Sequence, residues 1–392
     1  MDKTLTGQYT VHLICSLLKG EIPQNKPEQI TFEDIYRMAI FHNVTVMTLA
    51  AIKKTGQEMD PALKEKWERR AELASAQSVV QLHERDMIYQ LFEEHQIPYL
   101  PLKGCIVKEM YPDPEYRQMA DLDILVHEED NAKVKSVLED AGYTCKQFGQ
   151  EVHDIYEKKP FMDIEIHYRL LSDVHFVTYE WTQEYMQFFV EPWQKLERGD
   201  SYRYHFSDSD FYLYMLVHLA KHYSGSGSGI RQFLDIYYLM KNLNIDRQYV
   251  DEQLELYGLK DFCHTTEKMV LAWFGEAEAD EHTTELEQDV FSSGSYGNQE
   301  RSIRHEIEKF QSSQKKQNYY FHYIKKRLFP SLEVMRVSRP VLRKYPVLLP
   351  AFWLGRILTR GIITIPKQVR RLRLVRKVLK DSQTDPEKRT EE

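Results

Sequence analysis

The sequence predicts an α+β protein, a small mixed sheet flanked by N-terminal and C-terminal helical regions. Two observations carry this prediction. Helical periodicity dominates residues 1–97 and returns after residue 200. Between them, residues 98–200 alternate strand-like and helix-like runs and close on a hairpin, the pattern of a mixed sheet.

At 392 residues the chain exceeds a single small core, so four segments are expected. They are an N-terminal helical region at 1–97, the α/β core at 98–200, a helical domain at 201–330, and a basic amphipathic segment with a disordered tail at 331–392.

Taken in order, "FEDIYRMAIFHNVTVMTLAAIKKTG" spaces apolar residues three and four apart and stops at Gly56. From Pro61 to His95 a long run of good helix formers has no internal Gly or Pro. "IPYLPLKG" is a short apolar run ending in a turn, followed by a short helix in "CIVKEMY" and a loop in "PDPEYRQM". "ADLDILV" reads as a strand, "EEDNAKVKSVLEDAG" as a helix stopped at Gly142, and "HDIYEKKPFMDIEIHYRL" as two strands turning at Lys158–Pro160. Helices resume from "DSDFYLYMLVHLAKHY", with a Gly/Ser loop before "IRQFLDIYYLMKNLNI" and a surface break near "FSSGSYGNQE".

Charged residues at 29% and apolar residues at 42% are ordinary for a globular protein. Cys15, Cys105, Cys145 and Cys263 lie far apart without a CxxC spacing, which argues against a zinc knuckle or a disulfide framework and fits a reducing compartment. The N-terminus is a poor secretion signal, so a cytoplasmic location is expected. Charge is unevenly spread. Val334–Lys380 holds thirteen Lys and Arg and no Asp or Glu; with −8 overall and +13 here, the rest of the chain carries −21.

That basic stretch, centred on residues 345–380, interleaves Trp, Ile, Leu and Val with cations. Arg356 and Arg360 interrupt any membrane span, so the expectation is peripheral contact with an anionic membrane, at the inner face of the cell membrane. Docking onto the acidic body is the competing reading, and no recognised nucleic-acid module is present.

Chemistry concentrates in the α/β segment. In "RQMADLDILV", Asp121 and Asp123 share one strand face while Leu122, Ile124 and Val126 share the other. Like charges this close repel, which a cation between them relieves. In "FMDIEIHYRL", Asp163, Glu165, His167 and Arg169 again share a face, so neighbouring strands would bring three carboxylates together. Carboxylates suit magnesium, which keeps waters that a phosphate can replace. In "PLKGCIVKEM", Lys103 and Gly104 form a turn opening a helix, where backbone N–H groups and a lysine favour phosphate. Farther on, His218, Lys221 and His222 fall within one helical turn, and Arg231 and Asp235 repeat the four-residue spacing. They read either as a cationic lining for phosphate or as a helix contact fixed by Arg231 and Asp235; a zinc site at the His pair lacks any supporting motif.

Turn, Asp-x-Asp strand and later carboxylate strand, in this order, resemble the DNA polymerase beta-like nucleotidyltransferase superfamily. More narrowly, "LKG" at 102–104, "RQMADLDILV" at 117–126 and "IEIHYRL" at 164–170 resemble the bacterial uncharacterised nucleotidyltransferase family, and the likeness extends to "VHLAKHYSGSGSGIRQFLDI" and "YPVLLPAFWLGRIL". The resemblance implies transfer of a nucleoside monophosphate from an NTP, ATP being expected, to a hydroxyl acceptor by a two-metal mechanism that releases pyrophosphate. It implies Mg2+ held by the catalytic carboxylates Asp121, Asp123 and Glu165, and nucleotide contacts from Lys103, Gly104, Arg117, His167, His218, His222 and Arg231. The acceptor could be a small molecule, a lipid-linked intermediate or a protein. Two positions depart from the pattern: Cys105 stands where the superfamily carries Ser in the turn, and Ala120 stands where Ser is common in the narrower family. The alternative reading is a catalytically inactive nucleotide-binding sensor or scaffold.

Overall fold

The computed structural model describes residues 2–149, 153–171, 175, 186–199, 201–225, 227–295 and 341–355, with isolated positions between 303 and 376. Four helices open the chain: α1 (Lys3–Lys19), α2 (Phe32–Phe41), α3 (Thr45–Thr55) and α4 (Pro61–Glu94). Each boundary has a local cause. Thr31 and Asp34 form a capping box at the start of α2, Asn43 breaks the chain at φ 54°, and Gly56 ends α3 at φ 68°. Asp60 accepts from the Leu63 N–H ahead of Pro61, a favourable start for α4. Trp67 on α4 is fully buried and its indole N–H donates to Thr45 O at 3.2 Å, fastening α4 to α3.

The sheet consists of β1 (Tyr99–Pro101), β2 (Leu122–Val126), β3 (Thr144–Gln147), β4 (His153–Lys158) and β5 (Met162–His167), in the spatial order β1-β2-β5-β4-β3. Only β2 and β5 run parallel; the other neighbours are antiparallel, so the sheet is mixed. The short helix α5 (Gly104–Val107) follows β1, and α6 (Asn131–Asp140) crosses over from β2.

Alternation along the strands divides the sheet into two faces. Leu122, Ile124 and Val126 with Met162, Ile164 and Ile166 pack with Ile88 and Phe92 of α4 and with Val134 and Leu138 of α6. Leu125 faces the other way and joins a second, larger core with Tyr214, Phe233 and Val290. That core runs from Leu13 and Ile35 in the N-terminal helices through to Phe291, so the early and late helices share one apolar interior. The charged positions 123, 165 and 167 alternate onto the same face as Leu125, beneath the helix Asp208–Gly225. Among the described residues, no helix is long and apolar enough to cross a membrane.

Candidate functional site

The parallel pairing of β2 and β5 places Asp123 directly opposite Glu165, flanked by Leu122 opposite Ile164 and Ile124 opposite Ile166. The register thus sets Glu165 beside Asp123, while Asp163 is exposed farther along β5. Asp123 is buried, and its Oδ1 receives two contacts, Lys103 Nζ at 2.7 Å and His167 Nε2 at 2.7 Å. His167 Nε2 also lies 3.3 Å from Glu165 Oε2.

Electrostatics separates the two aspartates. Burial would raise the Asp123 carboxyl, but Lys103 and His167 outweigh it and hold Asp123 well below the usual range. Asp121 goes the other way: burial and the neighbouring Asp123 charge raise it to about 6, against the opposing pull of Lys103 and Arg231. Glu165 is held down by its hydrogen bond with His167. Burial works against the Lys103 cation, and Asp123 more than restores it.

Lys103 sits at φ 51° and ψ −115°, a backbone region a side-chain-bearing residue seldom occupies. The turn is tied to β2 by Leu102 N–H donating to Asp123 O at 3.0 Å. The helix after it, α5, is a single turn, so its dipole is weaker than the sequence suggested. Cys105 is buried, its Sγ donating to Leu102 O at 3.1 Å and accepting from Tyr89 OH at 3.5 Å.

A nitrogen-rich wall faces the carboxylates. Lys221 feels the charges of Lys103, Asp123 and Glu165, and burial first, then Lys103, lowers its ammonium to about 8. His218 is held well below its usual range by burial, with His222 and Lys221 adding to the effect. The rings of His218 and His222 meet edge-on at 4.4 Å, with His222 exposed. Arg231 acts on Asp121. Of the expected residues, Asp121, Asp123, Glu165, Lys103, His167, His218, His222 and Arg231 gather around this cleft. Carboxylate oxygens suit a hard divalent cation: Asp123 and Glu165 stand opposite each other in the β2–β5 register, and both charges, after burial, act to raise Asp121.

A protein-family model, the uncharacterised nucleotidyltransferase family, matches residues 28–275. The chain belongs to this family. No curated protein and no solved structure matches it. The matched span of this nucleotidyltransferase contains the whole sheet and the helices that face the carboxylates.

Arg117 occupies a place different from the expected nucleotide contact. It is buried, and its Nε and Nη2 make a bidentate pair with Asp235 Oδ1 and Oδ2, both at 2.8 Å. Tyr111 OH donates to the same carboxylate at 2.8 Å, and the buried Lys108 Nζ donates to Arg117 O at 2.7 Å. Arg117 thus fixes the loop before β2 to the helix Ile230–Asn242. Gly104 is also shaped by it: a Cβ there would stand 2.6 Å from Arg117 Nη1 and 3.1 Å from Met119 Sδ. This glycine is needed first for the guanidinium beneath it. Two residues at the cleft went unassigned from sequence, His153 and Tyr214. His153 lies across from His167 in the β4–β5 register, which the hairpin turn at 158–160 could have supplied. Tyr214 carries no local signal and faces the site only through the packing of its helix.

Proposed function

We propose that the protein transfers a nucleoside monophosphate from an NTP, ATP foremost, to a hydroxyl acceptor and releases pyrophosphate. The observation that carries this reading is the registered pair Asp123–Glu165, with Asp121 beside it and Lys103 at its edge. Asp121, Asp123 and Glu165 would hold two magnesium ions, whose chemistry is to neutralise the phosphates and to ease deprotonation of the attacking hydroxyl. Lys103 contacts Asp123 directly, and it carries triphosphate charge when it leaves that carboxylate. His167 orients Asp123. Glu165 receives the acceptor's proton. His218, His222 and Arg231, with Lys221, supply the opposite wall and favour an anionic substrate. Descent from the DNA polymerase beta-like superfamily and a bacterial origin belong to the same proposal.

A second reading, a nucleotide-binding module without turnover, is favoured by one observation: the Cys105 thiol points to Leu102 O and Tyr89 and offers no hydroxyl to a phosphate.

One experiment separates the two. Pyrophosphate release is measured for each NTP with magnesium, against a cell extract as acceptor, in the natural protein and in Asp121→Ala plus Asp123→Ala. Release that falls by at least a hundredfold in the double variant, on the order of 3 kcal/mol of transition-state stabilisation, supports transfer. NTP binding without release in any extract moves the assignment to the non-catalytic module.

A cytoplasmic location and peripheral contact with an anionic membrane through 345–380 complete the proposal. Most of that segment lies outside the described residues, as does the tail beyond 380. Within the described part, Tyr345, Val347, Leu348 and Leu354 are exposed.

A further inference from the structure

The β4–β5 hairpin holds a second group of ligating atoms whose chemistry differs from that of the aspartates. His153 and His167 are direct cross-strand partners, and Glu165 lies two residues before His167 on the same face. Glu165 Oε1 is 3.8 Å from His153 Nε2, and Glu165 Oε2 is 3.3 Å from His167 Nε2. One ligand atom from each of the three lies within 4.8 Å of the other two. Two ligands each about 2.1 Å from one ion stand roughly 3.0–3.4 Å apart, so small side-chain rotations bring these three to a common centre. The strands fix their backbones, which limits the reorganisation that binding requires.

We propose that His153, Glu165 and His167 form a site for a first-row transition-metal dication, Mn2+ through Zn2+, adjacent to and chemically distinct from the all-oxygen magnesium position. Two imidazoles and one carboxylate on one face are the donor set that binds such ions with open positions left over. Magnesium prefers oxygen and gives up water reluctantly, so it gains little from the imidazoles. Asp123 accepts from His167 Nε2 at 2.7 Å; in the loaded site the imidazole takes its other tautomer, its proton on Nδ1 by exchange with solvent, and Nε2 turns from Asp123 to the ion. Glu165 is common to both positions, standing between Asp123 on β2 and His153 on β4.

The test uses the untagged full chain, freed of metal, with Co2+ as the probe and no nucleotide. The expected result is visible d–d absorption that saturates at one equivalent and persists in a tenfold excess of Mg2+. His153→Ala and His153→Asn should each weaken Co2+ at least tenfold while leaving the circular dichroism of the protein unchanged. The His218→Ala plus His222→Ala variant should retain the absorption. The inference is overturned if Co2+ binds equally well without His153, if Mg2+ displaces it at equal concentration, or if loss of His218 and His222 abolishes the signal. Because the readout is metal binding alone, the outcome is independent of whether nucleotidyl transfer is found.

Discussion

Lys103 and Gly104 divide the work of one turn. Lys103 takes a backbone conformation that costs on the order of 1–3 kcal/mol for a residue with a side chain, and the contact with Asp123 holds it there. Gly104 allows the guanidinium of Arg117 to lie against its Cα. That guanidinium cannot move aside, because the two hydrogen bonds it donates to Asp235 fix it. Gly104→Ala should therefore overpack a rigid neighbour and cost about 1–3 kcal/mol. Urea unfolding followed by circular dichroism checks this, and a midpoint equal to that of the natural protein would mean the turn relaxes freely. At the same scale, the split between Asp121 and Asp123 follows from partners. One carboxylate has a lysine and a histidine, and the other has mainly a like charge for a neighbour.

At the scale of elements, the loop before β2 and the helix Ile230–Asn242 meet through the buried Arg117–Asp235 ion pair. Removing one member strands a desolvated charge, so Asp235→Ala should cost on the order of 3–5 kcal/mol and also leave the Tyr111 hydroxyl without its acceptor. A loss under about 1 kcal/mol in denaturant unfolding would show that solvent reaches Arg117. The same contact marks a limit of sequence reading. Arg117 and Asp235 are 118 residues apart, and neither carries a local cue to the other, so a motif arginine reads as a substrate contact. The shared carboxylate face of each strand was legible because both alternate apolar and acidic residues, whereas the parallel pairing of β2 with β5 was not, since alternation carries no strand direction. By contrast β3, "TCKQ", escapes because it is an edge strand with exposed and half-buried positions and no apolar stripe. Helix ends were legible wherever Gly56, Gly142 or Pro61 sets the backbone. The corner at Asn43 was not, because apolar periodicity runs through it.

At the scale of the molecule, the early and late helices are joined at His42. Its Nδ1 accepts the Ile230 N–H at 3.1 Å, while Ser295 N–H donates to Phe41 O at 2.8 Å and Gln232 Nε2 to Ser295 O at 2.6 Å. The joint needs a neutral imidazole, because Nδ1 can accept only while unprotonated. Burial lowers His42 from the ordinary histidine value to about 3. Between about 3 and about 6.5 the unfolded chain therefore binds a proton that the folded chain refuses. The stability from this group is complete above about 6.5 and drains away as pH falls toward 3. His218 and His175 are likewise held low by burial, so acid acts on both the joint and the cleft. His42→Asn keeps an acceptor near Nδ1 and removes one titrating group. Its melting temperature at pH 7.5 should be lower than that of the natural protein, through lost packing. Between pH 6.5 and pH 5, however, it should fall less steeply, and scanning calorimetry across that interval gives both slopes. Equal slopes would mean that His42 takes up its proton in the folded state, and the joint between the two sets of helices would then be held without it, by the Phe41–Ser295 hydrogen bond and the apolar core they share.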